Sequence, residues 1–251
     1  MSCLRIVIFT LLVTLLSVVP DTMPVTAEES DTESIRDRFY QAPAEGGDAA
    51  LFLVPGDYDT VGSPSFSADG QKLLFDGWKS RAGETSIQAK IIVVNADGSN
   101  LKVLGPGRMP NWSPGGNRIA FSQHAPYGIA VMHADGSHRT LIDAGGWGAQ
   151  WSPDGRKLAY SFPVKGRGNI RIYDLIEGTK TDLFPAGESP YTSVYWNMAW
   201  SPDSQWLCFK GCRAEDRTFD VATINIAGKE AGYKVHYHHE QAPYADFFFF
   251  F

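Results

Sequence analysis

The chain has 251 residues, with 28 acidic against 22 basic side chains and a formal net charge of −6. Aromatic residues at 13% and 25 glycines describe a folded, turn-rich protein and exclude a disordered chain. No run of lysine or arginine occurs, which argues against nucleic acid as a partner.

The first stretch, Met1 to Val19, carries Arg5 and then an apolar run from Ile6 to Val19. A membrane span needs about 20 apolar residues, and this run is shorter. Pro20 closes it, and Val25-Thr26-Ala27 offers small residues for cleavage. The pattern predicts a secretory signal peptide over 1–27. The expected location is therefore periplasmic or secreted, with no membrane span once the signal is removed. Cys3 precedes the apolar run, so it is not placed as the lipidated cysteine of a lipoprotein.

Residues 28–50 change character. Glu28, Glu29, Asp31, Glu33, Asp37, Glu45 and Asp48 outnumber Arg36 and Arg38, and strand alternation is absent before Ala49. This reads as a solvated, flexible acidic leader. The remainder, 51–251, is close to neutral and is expected to be the folded region.

That region is organised by a repeat. Phe66-Ser67-Ala68-Asp69-Gly70, Trp112-Ser113-Pro114-Gly115-Gly116, Trp151-Ser152-Pro153-Asp154-Gly155 and Trp200-Ser201-Pro202-Asp203-Ser204 each lead into a short apolar run. Serine suits the first corner of a type I turn, proline pre-sets φ at the second, and glycine supplies positive φ at the fourth. Further on, Asn95-Ala96-Asp97-Gly98, His133-Ala134-Asp135-Gly136, Glu177-Gly178 and Ala227-Gly228 join two more strands in each repeat. Repeats starting near 66, 112, 151 and 200, each of four strands, predict the blades of an all-β propeller.

Two details concern the ends of this region. Leu51 to Val54 resembles the fourth-strand endings Lys102-Val103-Leu104 and Leu183-Phe184, so it is expected to complete the last blade of a ring. Ala245-Asp246-Phe247 matches Ala149-Gln150-Trp151, so a fifth repeat is expected to begin at 247 and to be truncated.

The four linked strand-pair motifs resemble the WD-like propeller repeats of the TolB family, over about 66–247. Ala68, Gly115 and Ser204 depart from the repeat at single turn positions. The resemblance implies an exported, non-enzymatic scaffold that binds a protein or peptide. It also leaves open the propeller part of an enzyme: an oligogalacturonate-lyase-like, metal-dependent carbohydrate lyase with a carbohydrate ligand, or the cap of a serine peptidase.

Candidate sites are few. Gly-x-Ser-x-Gly does not occur, and no catalytic motif or cofactor is expected. Cys208 occupies the small buried position held by Ala120 and Ala159, and reads as structural alongside Cys212. Asn111 and Gln150 directly precede the lead tryptophans, away from the face that packs between blades, and are expected to line the channel. Phe66, Trp112, Trp151 and Trp200 are expected between blades. His236 and His238 fall two apart on a fourth strand, where they would share a face as metal ligands do. An exposed polar edge is the preferred reading of that pair.

Overall fold

A computed structural model describes residues 60–78 and 88–239, the short stretches 6–8, 39–42 and 50–53, and Asp48 and Tyr58. The chain divides into two units, one of Met1–Val61 with Gly77–Ile87 and one of Gly62–Asp76 with Gln88–Phe251. Most of the expected signal peptide, and the repeat start expected at Phe247, lie outside the described residues.

The first unit holds a three-stranded antiparallel sheet of β1 (Ile6–Ile8), β2 (Phe39–Ala42) and β3 (Ala50–Leu53), with β2 in the middle. Phe39 lies opposite Leu53, and both are buried. The stretch expected to be a solvated, flexible leader thus contains a strand. Of Leu51 to Val54, expected to complete the last blade, Leu51 and Leu53 lie opposite Tyr40 and Phe39 of that strand. Phe39 and Tyr40 are good strand formers, and Phe39 has an apolar face to bury.

The second unit is built on the repeat. Its first sheet is β4 (Thr60–Phe66), β5 (Lys72–Trp78), β6 (Lys90–Asn95) and β7 (Lys102–Pro106). The second is β8 (Arg108–Trp112), β9 (Arg118–His124), β10 (Tyr127–His133) and β11 (Thr140–Ala144). The third is β12 (Trp147–Trp151), β13 (Lys157–Val164), β14 (Arg167–Asp174) and β15 (Lys180–Asp182). In the fourth, the first strand is broken into β16 (Tyr191–Val194) and β17 (Ala199–Trp200). Both pair with β18 (Trp206–Arg213), which is followed by β19 (Phe219–Asn225) and β20 (Tyr233–His239). All four sheets are antiparallel and keep chain order. A 3₁₀ turn at Lys229–Ala231 is the only helical piece among the described residues, and no helix there is long and apolar enough to cross a membrane.

The turn chemistry works as the residues require. Ser152 Oγ donates to Asp154 Oδ1 at 2.5 Å and accepts from the Lys157 N–H at 2.8 Å. Gly155 N–H donates to Ser152 O at 2.8 Å with φ at +70°. Ser204 takes the same left-handed conformation, φ +60°, without glycine's freedom. Its hydroxyl accepts from the Asp154 N–H of the preceding blade at 3.1 Å, so the departure from the repeat becomes a contact between blades.

Alternation on the second and third strands gives every blade two apolar faces. Ile119 and Phe121 pack with Leu74 and Ile91 of the first blade, while Ala120 packs with Leu158 and Tyr160 of the third. Trp112, Trp151 and Trp200 are each buried in the core shared with the preceding blade. An aromatic burying about 200 Å² contributes on the order of 5 kcal/mol, so these three dominate cohesion between blades. Cys208 and Cys212 are free and buried, and burial pushes the Cys208 thiol above its ordinary range.

Candidate functional site

The inner edge strands β8, β12 and β17 run side by side. A ladder of hydrogen bonds joins them. Trp112 N–H donates to Ser65 Oγ at 3.2 Å, Trp151 N–H to Asn111 Oδ1 at 2.9 Å, and Trp200 Nε1–H to Gln150 O at 3.1 Å. The residue before each lead aromatic therefore receives the aromatic of the next blade. Asn111 spends its side-chain carbonyl on this joint, whereas Gln150 spends only its backbone. Both side chains are half-buried.

The histidine pair corrects an expectation. Between Val221 and Ala222 the register with β20 slips by one residue, because Tyr237 faces Val221 and Val235 faces Ala222. His236 is the extra residue of this bulge. It shares a hydrogen bond with Thr223 Oγ1 at 2.8 Å, while His238 Nδ1–H donates to Asp220 Oδ1 at 2.8 Å. Thr223 and Asp220 point to opposite faces of β19, as its alternating burial shows. His236 and His238 consequently do not share a face. Among the described residues no three His, Cys, Asp or Glu side chains converge as metal ligands would.

Two buried carboxylates organise the outer strands. Asp220 also accepts from the Tyr191 hydroxyl at 3.1 Å and pairs with Arg213 at 3.4 Å. Asp143 accepts from Lys180 Nζ at 2.6 Å, the Tyr160 hydroxyl at 2.8 Å and Arg171 at 3.2 Å. Burial pushes Asp143 upward, but these three bonds outweigh it and hold the carboxyl below its ordinary range. Burial and the Asp143 contact drive the Tyr160 hydroxyl far up. Arg171 is also paired with Asp182 and lies 3.4 Å over the Phe162 ring.

A second feature of the inner strands is absent from the repeat as read in sequence. On β8 the pairs are Arg108 with Ser122 and Asn111 with Ala120. On β12 they are Trp147 with Ser161 and Gln150 with Ala159. Three steps on the inner strand thus cover two on its neighbour, which is a β-bulge. The bulge residues, three before the lead aromatic, are left-handed, Met109 at +50° and Gly148 at +70°, and Ser63 at the same position of the first blade is left-handed at +49°. Met109 N–H donates to Asp76 Oδ2 at 3.3 Å and Gly148 N–H to Ser122 Oγ at 2.8 Å, so each of these two bulges is tied to the preceding blade. Burial raises the Asp76 carboxyl above its usual range despite that bond.

The bulge reverses the alternation upstream of it. Four residues before the lead tryptophan, Arg108 and Trp147 come into register opposite Ser122 and Ser161, on the side of Asn111 and Gln150. Trp196 is the same position on the fourth blade, where β16 and β17 part around it. It is 38% exposed, and its Cβ lies so close to Gly148 of the third blade that a side chain there would overlap it. Against Trp147 lie two residues of the β9–β10 tip. Tyr127 stacks on it at 5.4 Å and 7°, and His124 leans on it at 5.1 Å. Tyr127 is 47% exposed. Together these residues form a partly exposed aromatic surface that sequence reasoning missed. The signal was there: Trp147 and Trp196 stand at one repeat position, four residues ahead of Trp151 and Trp200.

No family model matches the chain. Over 86 residues it is 35% identical to the Tol-Pal system protein TolB of Alcanivorax borkumensis, a stretch that is 33% of this chain and 19% of that protein. In fold it is similar to TolB from Acinetobacter baumannii, with a TM-score of 0.63 at 19% identity, covering 81% of this chain and 49% of that one. It is similar also to an oligogalacturonate lyase solved in complex with manganese, with a TM-score of 0.57 at 16% identity over 78% of this chain and 58% of that one. The chain thus spans about half of the A. baumannii TolB chain. The chain is thus similar to TolB in its fold and, over those 86 residues, in its sequence.

Proposed function

We propose that this protein is an exported, non-enzymatic propeller scaffold that binds a protein or peptide partner at the mouth formed by Arg108, Trp147, Trp196 and the Tyr127 tip. The observation that carries this reading is the repeated left-handed bulge. Backbone strain of about 1–3 kcal/mol at a non-glycine residue persists only where the surroundings enforce it. Met109 bears that strain and brings Arg108 onto the side of Asn111, while Gly148 takes the same conformation without it and brings Trp147 onto the side of Gln150, where it stacks on Tyr127. Exposed aromatics such as Tyr127 and Trp196 are residue types that anchor protein interfaces. Gln150, whose side chain is not spent between blades, is the more available of the two inner-edge polar residues. Export rests on the Ile6–Val19 run and Val25-Thr26-Ala27. Amino-terminal sequencing of the exported protein should begin near Glu28; an intact Met1 in a membrane fraction would overturn that part.

The lyase reading draws on the manganese-bound neighbour. The residues present fit it poorly, because His236 and His238 face opposite ways and are held by Thr223 and Asp220. Selection of a displayed random-peptide library on the purified protein tests the two together. Enriched peptides whose binding is lost in Trp196→Ala support the scaffold. Release of unsaturated sugar from oligogalacturonate, with no peptide enriched, would sink it.

A further inference from the structure

We infer that His133 and His138, stacked across the β10–β11 turn of the second blade, form a two-imidazole site for a divalent transition metal, copper(II) before the others. The site lies at the far end of β10 from Tyr127 and does not rest on the peptide-scaffold reading.

The first blade carries the same turn without the histidines. Asn95-Ala96-Asp97-Gly98-Ser99-Asn100 and His133-Ala134-Asp135-Gly136-Ser137-His138 differ only at their two ends. The frames agree in detail. In both, the N–H of the first residue donates to the serine carbonyl at 2.9 Å. The aspartate accepts from the serine N–H at 2.9 Å in the first turn and 2.8 Å in the second. The last residue is left-handed, at +56° for Asn100 and +52° for His138. Asn95 Nδ2 is spent on Ser99 Oγ at 3.0 Å. With both ends exchanged, the second turn instead sets two imidazoles face to face, their centroids 4.4 Å apart and their planes at 28°.

The hydrogen bonds leave the ring nitrogens as a metal requires them. Ser137 Oγ has one proton, which it donates to Asp135 Oδ1 at 2.6 Å. It therefore accepts from His138 Nδ1–H at 2.9 Å, and this puts the lone pair of His138 on Nε2. An imidazole whose other N–H is held by a neighbouring oxygen, with tautomer and orientation fixed, is the usual form of a metal ligand. Nε2 of His138 and both ring nitrogens of His133 have no hydrogen-bond partner among the described residues, and both rings are exposed. Stacked rings present their edges side by side. Rotation about the Cβ–Cγ bond, which is soft for histidine, turns the two lone pairs onto one ion. Imidazole suits copper, nickel and zinc rather than calcium or magnesium, and copper(II) stands highest in affinity for nitrogen donors. No third His, Cys, Asp or Glu side chain converges with the pair among the described residues, so water fills the remaining positions. That differs from a closed structural zinc site, which takes four protein ligands.

The test titrates the untagged full chain, dialysed against chelator, with Cu²⁺, Ni²⁺, Zn²⁺ and Ca²⁺ by calorimetry, and records electron paramagnetic resonance of the copper form. One Cu²⁺ per chain is expected, bound more tightly than Ni²⁺ or Zn²⁺, with two nitrogen donors in the spectrum and no heat from Ca²⁺. His133→Asn and His138→Asn restore the residues of the first-blade turn, so both should fold and melt as the parent does. Each should weaken copper binding about tenfold or more, as loss of even an outer-shell partner does. The double variant should abolish it. His236→Gln with His238→Gln should leave binding unchanged. If the double asparagine variant does not fold, the two single variants decide. Absence of stoichiometric copper, binding kept in either single asparagine variant, or binding lost with His236 and His238 instead would each overturn the inference.

Discussion

The backbone N–H of Trp151 donates to the side-chain carbonyl of Asn111 at 2.9 Å, across the joint between the second and third blades. Gln150, at the equivalent position one blade on, holds Trp200 through its backbone oxygen alone. The two substitutions to alanine should therefore differ. Asn111→Ala strands a half-buried N–H and should cost about 1–3 kcal/mol. Gln150→Ala keeps its bond and should stay within about 0.5 kcal/mol of the parent protein. Urea unfolding of both variants is the measurement.

The tryptophans allow a finer comparison. The indole nitrogens of Trp112 and Trp151 are buried without a partner, whereas that of Trp200 donates to Gln150 O. Trp151→Ala should cost about 3–5 kcal/mol, as loss of a large buried aromatic does. Trp200→Phe should cost about 1 kcal/mol more than Trp151→Phe, because only the former gives up a made bond. Equal losses would mean that the Trp200 bond contributes nothing.

Acid should find the Asp143 cluster. A carboxyl held below its ordinary value adds stability above its unfolded pKa and loses it as pH falls through the folded one. Asp143→Asn should therefore be destabilising at pH 7, by about 2 kcal/mol for a group bonded to two cations. The difference from the parent should shrink below about pH 4. Thermal melts of both proteins across that range check the sign.

Asp76 should behave in the opposite sense. Its carboxyl is raised, so the folded state favours the protonated form and ionisation costs stability as pH rises. Asp76→Asn should be neutral or stabilising at pH 7, and the advantage should fade below the usual carboxylate range. A loss of stability at pH 7 would show that the Met109 N–H bond depends on the charge.

Much of the fold is legible because its determinants are local. The Ser-Pro-Asp-Gly corners and the lead aromatics are set by φ preferences and apolar alternation, and the structure places Trp112, Trp151 and Trp200 where that pattern requires. Asn111 and Gln150 stand out in the sequence as polar residues beside the lead aromatics, yet the partner of each, one blade away, is a tertiary fact. The bulges could not be read at all. Met109 and Ser63 have no preference for positive φ, and only their surroundings impose it, for Met109 through Asp76. The expectation that His236 and His238 share a face failed for the same reason, since a one-residue slip in pairing leaves no mark on spacing. Phe39–Ala42 was hidden by the acidic residues around it.

The bulges also divide the labour of the inner strand. Downstream of each, the lead tryptophan and its partner are bound by packing and tolerate little change. Upstream, Trp147 stacks on Tyr127 of the second blade and Trp196 lies against Gly148 of the third, so aromatic contact with the neighbouring blade continues beyond the lead tryptophan, on partly exposed side chains. Substitution there alters the partly exposed rim of the joint rather than the buried core around the lead tryptophans. One backbone of this kind could acquire different partners in different lineages, and a designer could redirect it by changing the side chains of that rim.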